Sequence, residues 1–230
     1  MMEARVSHTR NRVISTKPKN EAEMEVMRTE MENIIHQESW FCAMTQFNKT
    51  VDGKFLLLVL DYDPDDGSEI QIKFPGGTKN TLRGDRTPEQ TLRGEASEEL
   101  FAGEEGEVIL YTPFFRMEIP QTSHVKYFSI VQTKGKFRNS PLRDEGVDEY
   151  GNETYEIIGP PRFENVITLA HVMRGSHRRV LSVLLEILSS SKSFESIAGQ
   201  IGEAREIIKE RVDQEWEERN RRRKATDAPA

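Results

Sequence analysis

The stretch FPGGTKNTLRGDRTPEQTLRGEASEEL, from Phe74 to Leu100, limits what the chain can fold into more than any other. The residues before it, Glu69 to Phe74, read as a strand, and Pro75-Gly76-Gly77 ends that strand with two residues that lack a Cβ. Such a backbone can turn sharply and lets a ligand or metal approach closely. Thr87-Pro88-Glu89-Gln90 then starts a helix: Thr87 can cap, Pro88 suits the first helical position, and Gln90 stands where a capping box closes. At 100° per residue Leu92, Ala96 and Leu100 share an arc of about 80°, which would anchor the helix on a sheet.

On the neighbouring face Glu95, Glu98 and Glu99 fall at i, i+3 and i+4, within an arc of about 100°. Three crowded carboxylates repel one another unless a cation sits among them or they point freely into water. Mg²⁺ or Mn²⁺ matches these hard oxygen ligands; such an ion stabilises developing charge on a phosphoryl group and lowers the pKa of a bound water. From the helix alone a solvated acidic face is the alternative. The glycine turn ahead of it shifts the balance towards a site.

The flanking segments predict an α/β fold. Trp40 to Phe47, Lys54 to Asp61 and Glu69 to Phe74 read as strands, with Asp52-Gly53 and the PDDG at 64–67 as hairpin turns, so an antiparallel meander leads into the PGG bend. Glu107 to Met117, Val125 to Gln132 and the shorter Phe163 to Leu169 read as further strands. Met24, Met27, Met31, Ile34 and Ile35 recur at helical spacing between Glu21 and Gln37. From Gly135 to Pro161 apolar periodicity lapses, which predicts a long loop. His177 to Leu188 resumes helical spacing, and a last helix is expected from Phe194 to Arg223. Its apolar stripe (Ile197, Ile201, Ala204, Ile207, Ile208, Val212, Trp216) must be buried against its own domain or a second copy, so a homodimer through this helix is one expectation. The 230 residues thus divide into a flexible basic tail (1–20), a main domain that includes the N-terminal helix (21–190), and a C-terminal amphipathic helix and tail (191–230).

A net charge of -7 and a pI near 5.4 argue against wholesale electrostatic binding of nucleic acid. The tail cations Arg5, Arg10, Arg12, Lys17 and Lys19 have no interleaved aromatics, which is a weak signal for a nucleic-acid arm. The single cysteine, Cys42, excludes an intrachain disulfide, and a reducing, cytoplasmic setting is expected. No run approaches the roughly 20 apolar residues that cross a bilayer, so no membrane partner is expected. Cys42, His124, His171, His177, Phe114, Phe115 and Tyr127 read as structural or surface groups rather than catalytic ones.

The stretch resembles the Nudix box, whose family pattern is G-x5-E-x7-R-E-U-x-E-E-x-G-U, with U aliphatic. PGG matches at 75–77, PEQTL at 88–92 has the family's flavour, and E-A-x-E-E matches at Glu95, Ala96, Glu98 and Glu99. The family's arginine falls on Gly94 and its first glutamate on Arg86, while the spacing from Gly77 is three residues longer. Arg93 stands one position off, about 100° round the helix. The resemblance implies a Nudix-like α/β/α sandwich with a mixed sheet over residues 39–190, carrying helical extensions at both ends. It implies Glu98 and Glu99 as metal ligands, Glu95 as a further ligand or base, and Gly76, Gly77 and Arg83 beside the substrate. A carboxylate beyond the box often joins in; Glu145, Glu149, Glu153 and Glu156 are candidates, Glu153 first among them. The implied function is metal-dependent hydrolysis of a nucleoside diphosphate linked to another moiety, with a nucleotide-type diphosphate as partner and nucleic acid only as an RNA end. The alternative is a catalytically degenerate nucleotide-binding or regulatory protein on the same scaffold, to which Gly94 and Arg86 point.

Overall fold

The computed structural model describes residues 14–33, 39–50, 52–64, 69–101, 105–119, 124–147 and 153–226. Among them the strands are β1 (Ile14–Thr16), β2 (Ser39–Thr45), β3 (Phe47–Lys49), β4 (Phe55–Pro64), β5 (Gln71–Lys73), β6 (Gly76–Thr78), β7 (Gly106–Ile119), β8 (His124–Gly135), β9 (Leu142–Val147), β10 (Glu153–Ile158) and β11 (Arg162–Asn165). The helices are α1 (Glu21–Glu32), α2 (Pro88–Glu95), α3 (Val166–Val172), α4 (Gly175–Ser189) and α5 (Ala198–Thr226). One sheet has the order β1-β7-β8-β2-β6, and a second runs β11-β4-β10-β9 with β3 and β5 also on β4. Within the first sheet β2 runs parallel to β8 while its other pairings are antiparallel, so the sheet is mixed.

Side-chain alternation along the strands decides the layering. On β2, Trp40, Cys42 and Met44 pack into a core with Met27 and Met31 of α1 and Leu92 of α2, whereas Ala43 joins the core on the other side. On β4, Leu57 and Val59 face that second core and Leu58 the first. The second core also holds Leu169 of α3, Val180, Leu181, Leu184 and Leu185 of α4, and Ile201, Ala204 and Ile208 of α5. Helices therefore cover both faces, and the chain is an α/β/α sandwich of the α/β class. Burying one such leucine contributes about 1.5–3 kcal/mol, so the two cores hold the layers together.

Several elements differ from the sequence expectation. Ile14–Thr16, inside the expected tail, adds a strand to β7; Arg5, Arg10 and Arg12 lie outside the described residues, as do Ile34 and Ile35. The stretch expected as a loop after Gly135 contains the β9–β10 hairpin, paired from Glu153↔Val147 to Ile158↔Leu142. A backbone ladder holds it, and its sequence has no apolar alternation to betray a strand. Phe163 to Leu169 is a strand only to Asn165, whose side chain then accepts from the Ile167 N–H and caps α3. On the C-terminal helix, Ile201, Ala204 and Ile208 are buried in the chain's own core, while Val212 and Trp216 are exposed.

Candidate active site

The turn after β5 is built by close approach. Gly76 has φ +146, and a Cβ there would lie 2.1 Å from the Cys42 carbonyl oxygen and 2.5 Å from Ala43 Cα, so only glycine lets β6 pair with β2. At Gly77 a Cβ would meet the Glu95 carboxylate at 2.4 Å. The second glycine thus admits the helix glutamate against the strand.

The helix starts as its residues dictate. Thr87 Oγ1 accepts from the Gln90 N–H at 3.2 Å, Pro88 follows, and Gln90 Oε1 accepts from the Arg86 N–H at 2.7 Å. Trp40 Nε1 donates to Thr91 Oγ1 at 2.8 Å, and Thr91 donates to Asp85 at 2.9 Å, tying β2, helix and connecting loop together. After Glu95 the α-helix gives way to a π-helical turn, Ala96–Phe101. That widening redistributes the acidic side chains expected on one face. Glu99 turns inward and is 6% exposed, Glu98 turns outward with its side chain 54% exposed, and Glu95 lies between at 12%. The end of the turn is held by Arg138, a buried residue in the stretch expected as loop: its Nε donates to the Glu99 carbonyl at 2.6 Å and its Nη2 to Gly159 at 2.7 Å.

One side chain balances much of the acidic charge. Arg83 Nη2 lies 2.7 Å from Asp85 and 3.0 Å from Glu95, and its Nη1 pairs with Glu98 at 2.7 Å. Its guanidinium rests on Gly94, where a Cβ would come within 2.3 Å of Cζ and Nε. An arginine from the loop therefore fills the space that any side chain at 94 would need, and it grips the carboxylates of the same helix. Arg93, by contrast, points away, paired with Glu89 at 2.8 Å and donating to the Val108 carbonyl of β7.

Burial still dominates the two inner carboxyls. Desolvation pushes Glu95 up to about 7 although Arg83 opposes it, with the nearby Glu98 and Asp85 adding to the rise. Desolvation pushes Glu99 up to about 8, against the Tyr62 hydroxyl, which donates to Oε1 at 2.7 Å, and the Gly76 N–H, which donates to Oε2 at 2.6 Å. Asp85 is also buried, which raises its pKa, but the two bonds from Arg83 outweigh this and hold it below the usual range. Among the described residues, no three acidic, histidine or cysteine side chains converge closely enough to hold a metal ion.

Beside Gly76 and Tyr62 opens a cavity of about 400 Å³, lined also by Lys73, Lys126, Arg174 and His177. Lys126 Nζ sits 5.3 Å from the Phe41 ring and Lys73 Nζ 4.4 Å from the Tyr62 ring, so aromatic faces hold both cations in place. The N-terminus of α4 opens onto the same space at Gly175 and Ser176, with no side-chain cap at Arg174. A concave, positively charged space with aromatic walls suits an anionic ligand that has a flat group.

Of the residues expected at the site, Arg83 pairs with Glu95 and Glu98, Gly77 lies against Glu95 and the Gly76 N–H donates to Glu99, but the π-helical turn sends Glu98 outward and Glu99 inward, so the three carboxylates do not converge. Glu153 opens β10, opposite Val147; its side chain, like those of Glu145 and Glu156, lies outside the described residues, as does all of Glu149. Tyr62, Asp85, Arg138, Lys73, Lys126 and His177 were not singled out by the sequence as site residues. Each comes from a different element, so no local spacing links them. Cys42 is a buried thiol that donates to the Pro88 carbonyl, and Phe114, Phe115 and Tyr127 are core residues. Among the described residues, no helix is long and apolar enough to cross a membrane.

No known family profile matches the chain, and no curated protein matches it in sequence. Among solved structures, it is similar to a T. brucei MERS1–RNA complex at 16% identity and a TM-score of 0.30, over 51% of this chain and 44% of that one. It is also similar to an ADP compounds hydrolase at 10% identity and a TM-score of 0.31, over 77% and 75% of the two chains. A MutT/nudix family protein from Enterococcus faecalis is similar at 11% identity and a TM-score of 0.33, over 79% and 74%.

Proposed function

We propose that this site hydrolyses a nucleoside diphosphate linked to another moiety, with Mg²⁺ or Mn²⁺ held by Glu98 and Glu99. The observation that carries the reading is the Glu99 carboxylate, which is bonded at once to the Gly76 N–H of the turn and to the Tyr62 hydroxyl of the cavity wall. Turn, acidic helix and cationic cavity meet on that one group. In donor chemistry the residues offer what a hard divalent ion takes, the carboxylate oxygens of Glu98 and Glu99. Loading requires Glu98, the most exposed of the three, to release Arg83.

The bound ion would offset charge on the pyrophosphate and supply a water of lowered pKa. The chain's own residues do the rest. Glu95, whose pKa lies near neutrality, is placed to take a proton as a general base. Arg83 keeps Glu95 oriented, and the Gly76 and Tyr62 bonds keep Glu99 from turning away. Lys73 and Lys126, joined by Arg174 once it leaves its 2.6 Å pair with Glu69, would hold the phosphates, with Phe41 or Tyr62 against a flat group of the ligand.

A panel of nucleotide sugars, ADP-ribose, dinucleotides, triphosphates and capped RNA, each with Mg²⁺ and Mn²⁺, tests the proposal. Metal-dependent phosphate release that falls at least about a hundredfold in both Glu98→Gln and Glu99→Gln is expected. Equal rates in wild type and both variants reject it.

A second reading, a binding or regulatory protein without turnover, is favoured by Arg83 itself. A guanidinium that already pairs with Glu95 and Glu98 can act as a permanent counter-ion in place of the metal. Tight ligand binding with no product in any metal would select it.

A further inference from the structure

The guanidinium of Arg83 is fixed on one edge and loose on the other. Its Nε donates to Asp85 Oδ1 at 2.9 Å and its Nη2 to Oδ2 at 2.7 Å, and Nη2 also donates to Glu95 at 3.0 Å. Nη1, a buried atom, lies 2.7 Å from Glu98 Oε2 but out of line for a hydrogen bond, and among the described residues it makes none. Two parallel bonds to a buried carboxylate lock a guanidinium in its plane, whereas an ion pair with a half-exposed partner adds little. The fixed edge is braced from behind. Trp40 Nε1 is only a donor, so Thr91 Oγ1 accepts from it and directs its own hydrogen to Asp85 Oδ2. With the Asn80 N–H at 3.1 Å, Asp85 accepts four hydrogen bonds and both of its oxygens are engaged.

We propose that Asp85 is a positioning residue of the site: it pins the Nε–Nη2 edge of Arg83, so that only the Nη1 edge answers Glu98 and competes there with a divalent ion. This rests on the reading of Glu98 and Glu99 as ligands of such an ion. Arg83 gives up Glu98 while keeping Asp85 and its seat on Gly94, where no side chain stands in the way. The two partners of one ion pair then act on ion binding in opposite directions. Shortening the fork of Arg83 frees Glu98, whereas loosening Asp85 lets the whole guanidinium settle on Glu95 and Glu98.

Calorimetry of Mn²⁺ alone with the full chain, without substrate or turnover, tests this. Arg83→Lys carries a single ammonium, which follows the buried carboxylates Asp85 and Glu95 and leaves Glu98; it is expected to bind Mn²⁺ about three- to tenfold more tightly than the wild type. Asp85→Asn keeps the shape but removes the charge that holds the guanidinium, and is expected to bind Mn²⁺ about three- to tenfold more weakly. A merely structural role moves both variants the same way. Equal or weaker binding in Arg83→Lys, tighter binding in Asp85→Asn, or a signal that survives Glu98→Gln overturns the proposal. Absence of Mn²⁺ binding from the wild type and Arg83→Lys alike overturns it too. If thermal unfolding shows that Asp85→Asn does not fold, Arg83→Lys decides together with the wild-type Arg83 Nε–H resonance. That proton is expected to stay slow to exchange when Mg²⁺ is saturating, and its loss refutes the anchor. The expected order of affinities with no diphosphate cleaved leaves the proposal standing and removes the hydrolase reading; cleavage with no tightening in Arg83→Lys does the reverse.

Discussion

Replacing Gly94 with alanine asks whether the loop arginine and the helix glycine belong together. On helix propensity alone the change stabilises by about 1 kcal/mol. The new Cβ, however, would lie 2.3 Å from Arg83 Cζ and Nε, so the guanidinium must move. Its pairs with Asp85, whose side chain is 3% exposed, and with Glu95, at 12%, would be lost or stretched, while the pair with half-exposed Glu98 matters little. Breaking a buried pair costs about 3–5 kcal/mol, and partial exposure of Arg83 together with its flexible stem reduces this to about 2–3. Set against the propensity gain, Gly94→Ala is expected to destabilise by about 1–2 kcal/mol and to lower Tm by about 2–8 °C. With Arg83 first changed to alanine the obstacle is gone, and the same Gly94→Ala substitution should stabilise by about 0.5–1 kcal/mol. Thermal and urea unfolding of the four proteins in a double-mutant cycle measures that reversal of sign. If Gly94→Ala stabilises the wild-type background as well, Arg83 does not depend on the space at 94 and the coupling is refuted.

Other expectations follow from the same geometry. Glu95 and Glu99 have raised folded-state pKa values, so the stability they contribute is whole below about 4.5, their ordinary value, and is lost as pH rises through 7 and 8. Tm of the metal-free chain should therefore fall between pH 5 and 8.5, and added Mg²⁺ should raise it more at pH 8 than at pH 6; a flat profile contradicts the burial of these carboxyls. Gly76→Ala, facing backbone at 2.1 Å, should destabilise by about 3 kcal/mol or more in urea titrations. Arg138→Met, which leaves the Glu99 and Gly159 carbonyls without their donor, should cost about 2–4 kcal/mol in urea titrations. Pairing of the exposed Val212 and Trp216 between two copies should give a dimer mass in sedimentation that Trp216→Glu abolishes; a monomeric wild type rejects the homodimer.

What the sequence made legible was local. The PGG turn, the Thr87 cap and the anchoring of Leu92, Ala96 and Leu100 all follow from spacing and residue type, which act over a few positions. The misjudged parts depend on distant partners. The π-helical turn that separates Glu98 from Glu99 is held by Arg138, 39 residues downstream of Glu99, and no pattern within EASEEL announces it. The β9–β10 hairpin carries no apolar alternation, so spacing alone predicts a loop there. At Gly94, where the resemblance puts an arginine, the helix leaves room for the guanidinium of Arg83, which pairs with Glu95 from across the turn. No local pattern shows the cationic cavity for the same reason, since β5, β8 and α4 contribute two, one and three of its residues from distant parts of the chain.

The central claim is that Glu98 and Glu99 take a divalent ion beside the PGG turn. Crystals soaked with Mn²⁺ and a non-hydrolysable diphosphate test it most directly, through the anomalous signal of the metal. The expected result is one strong peak bonded to carboxylate oxygens of Glu98 and Glu99, with Arg83 released from Glu98. Density showing the diphosphate in the cavity, no metal peak, and Arg83 still clamped on Glu95 and Glu98 would contradict it.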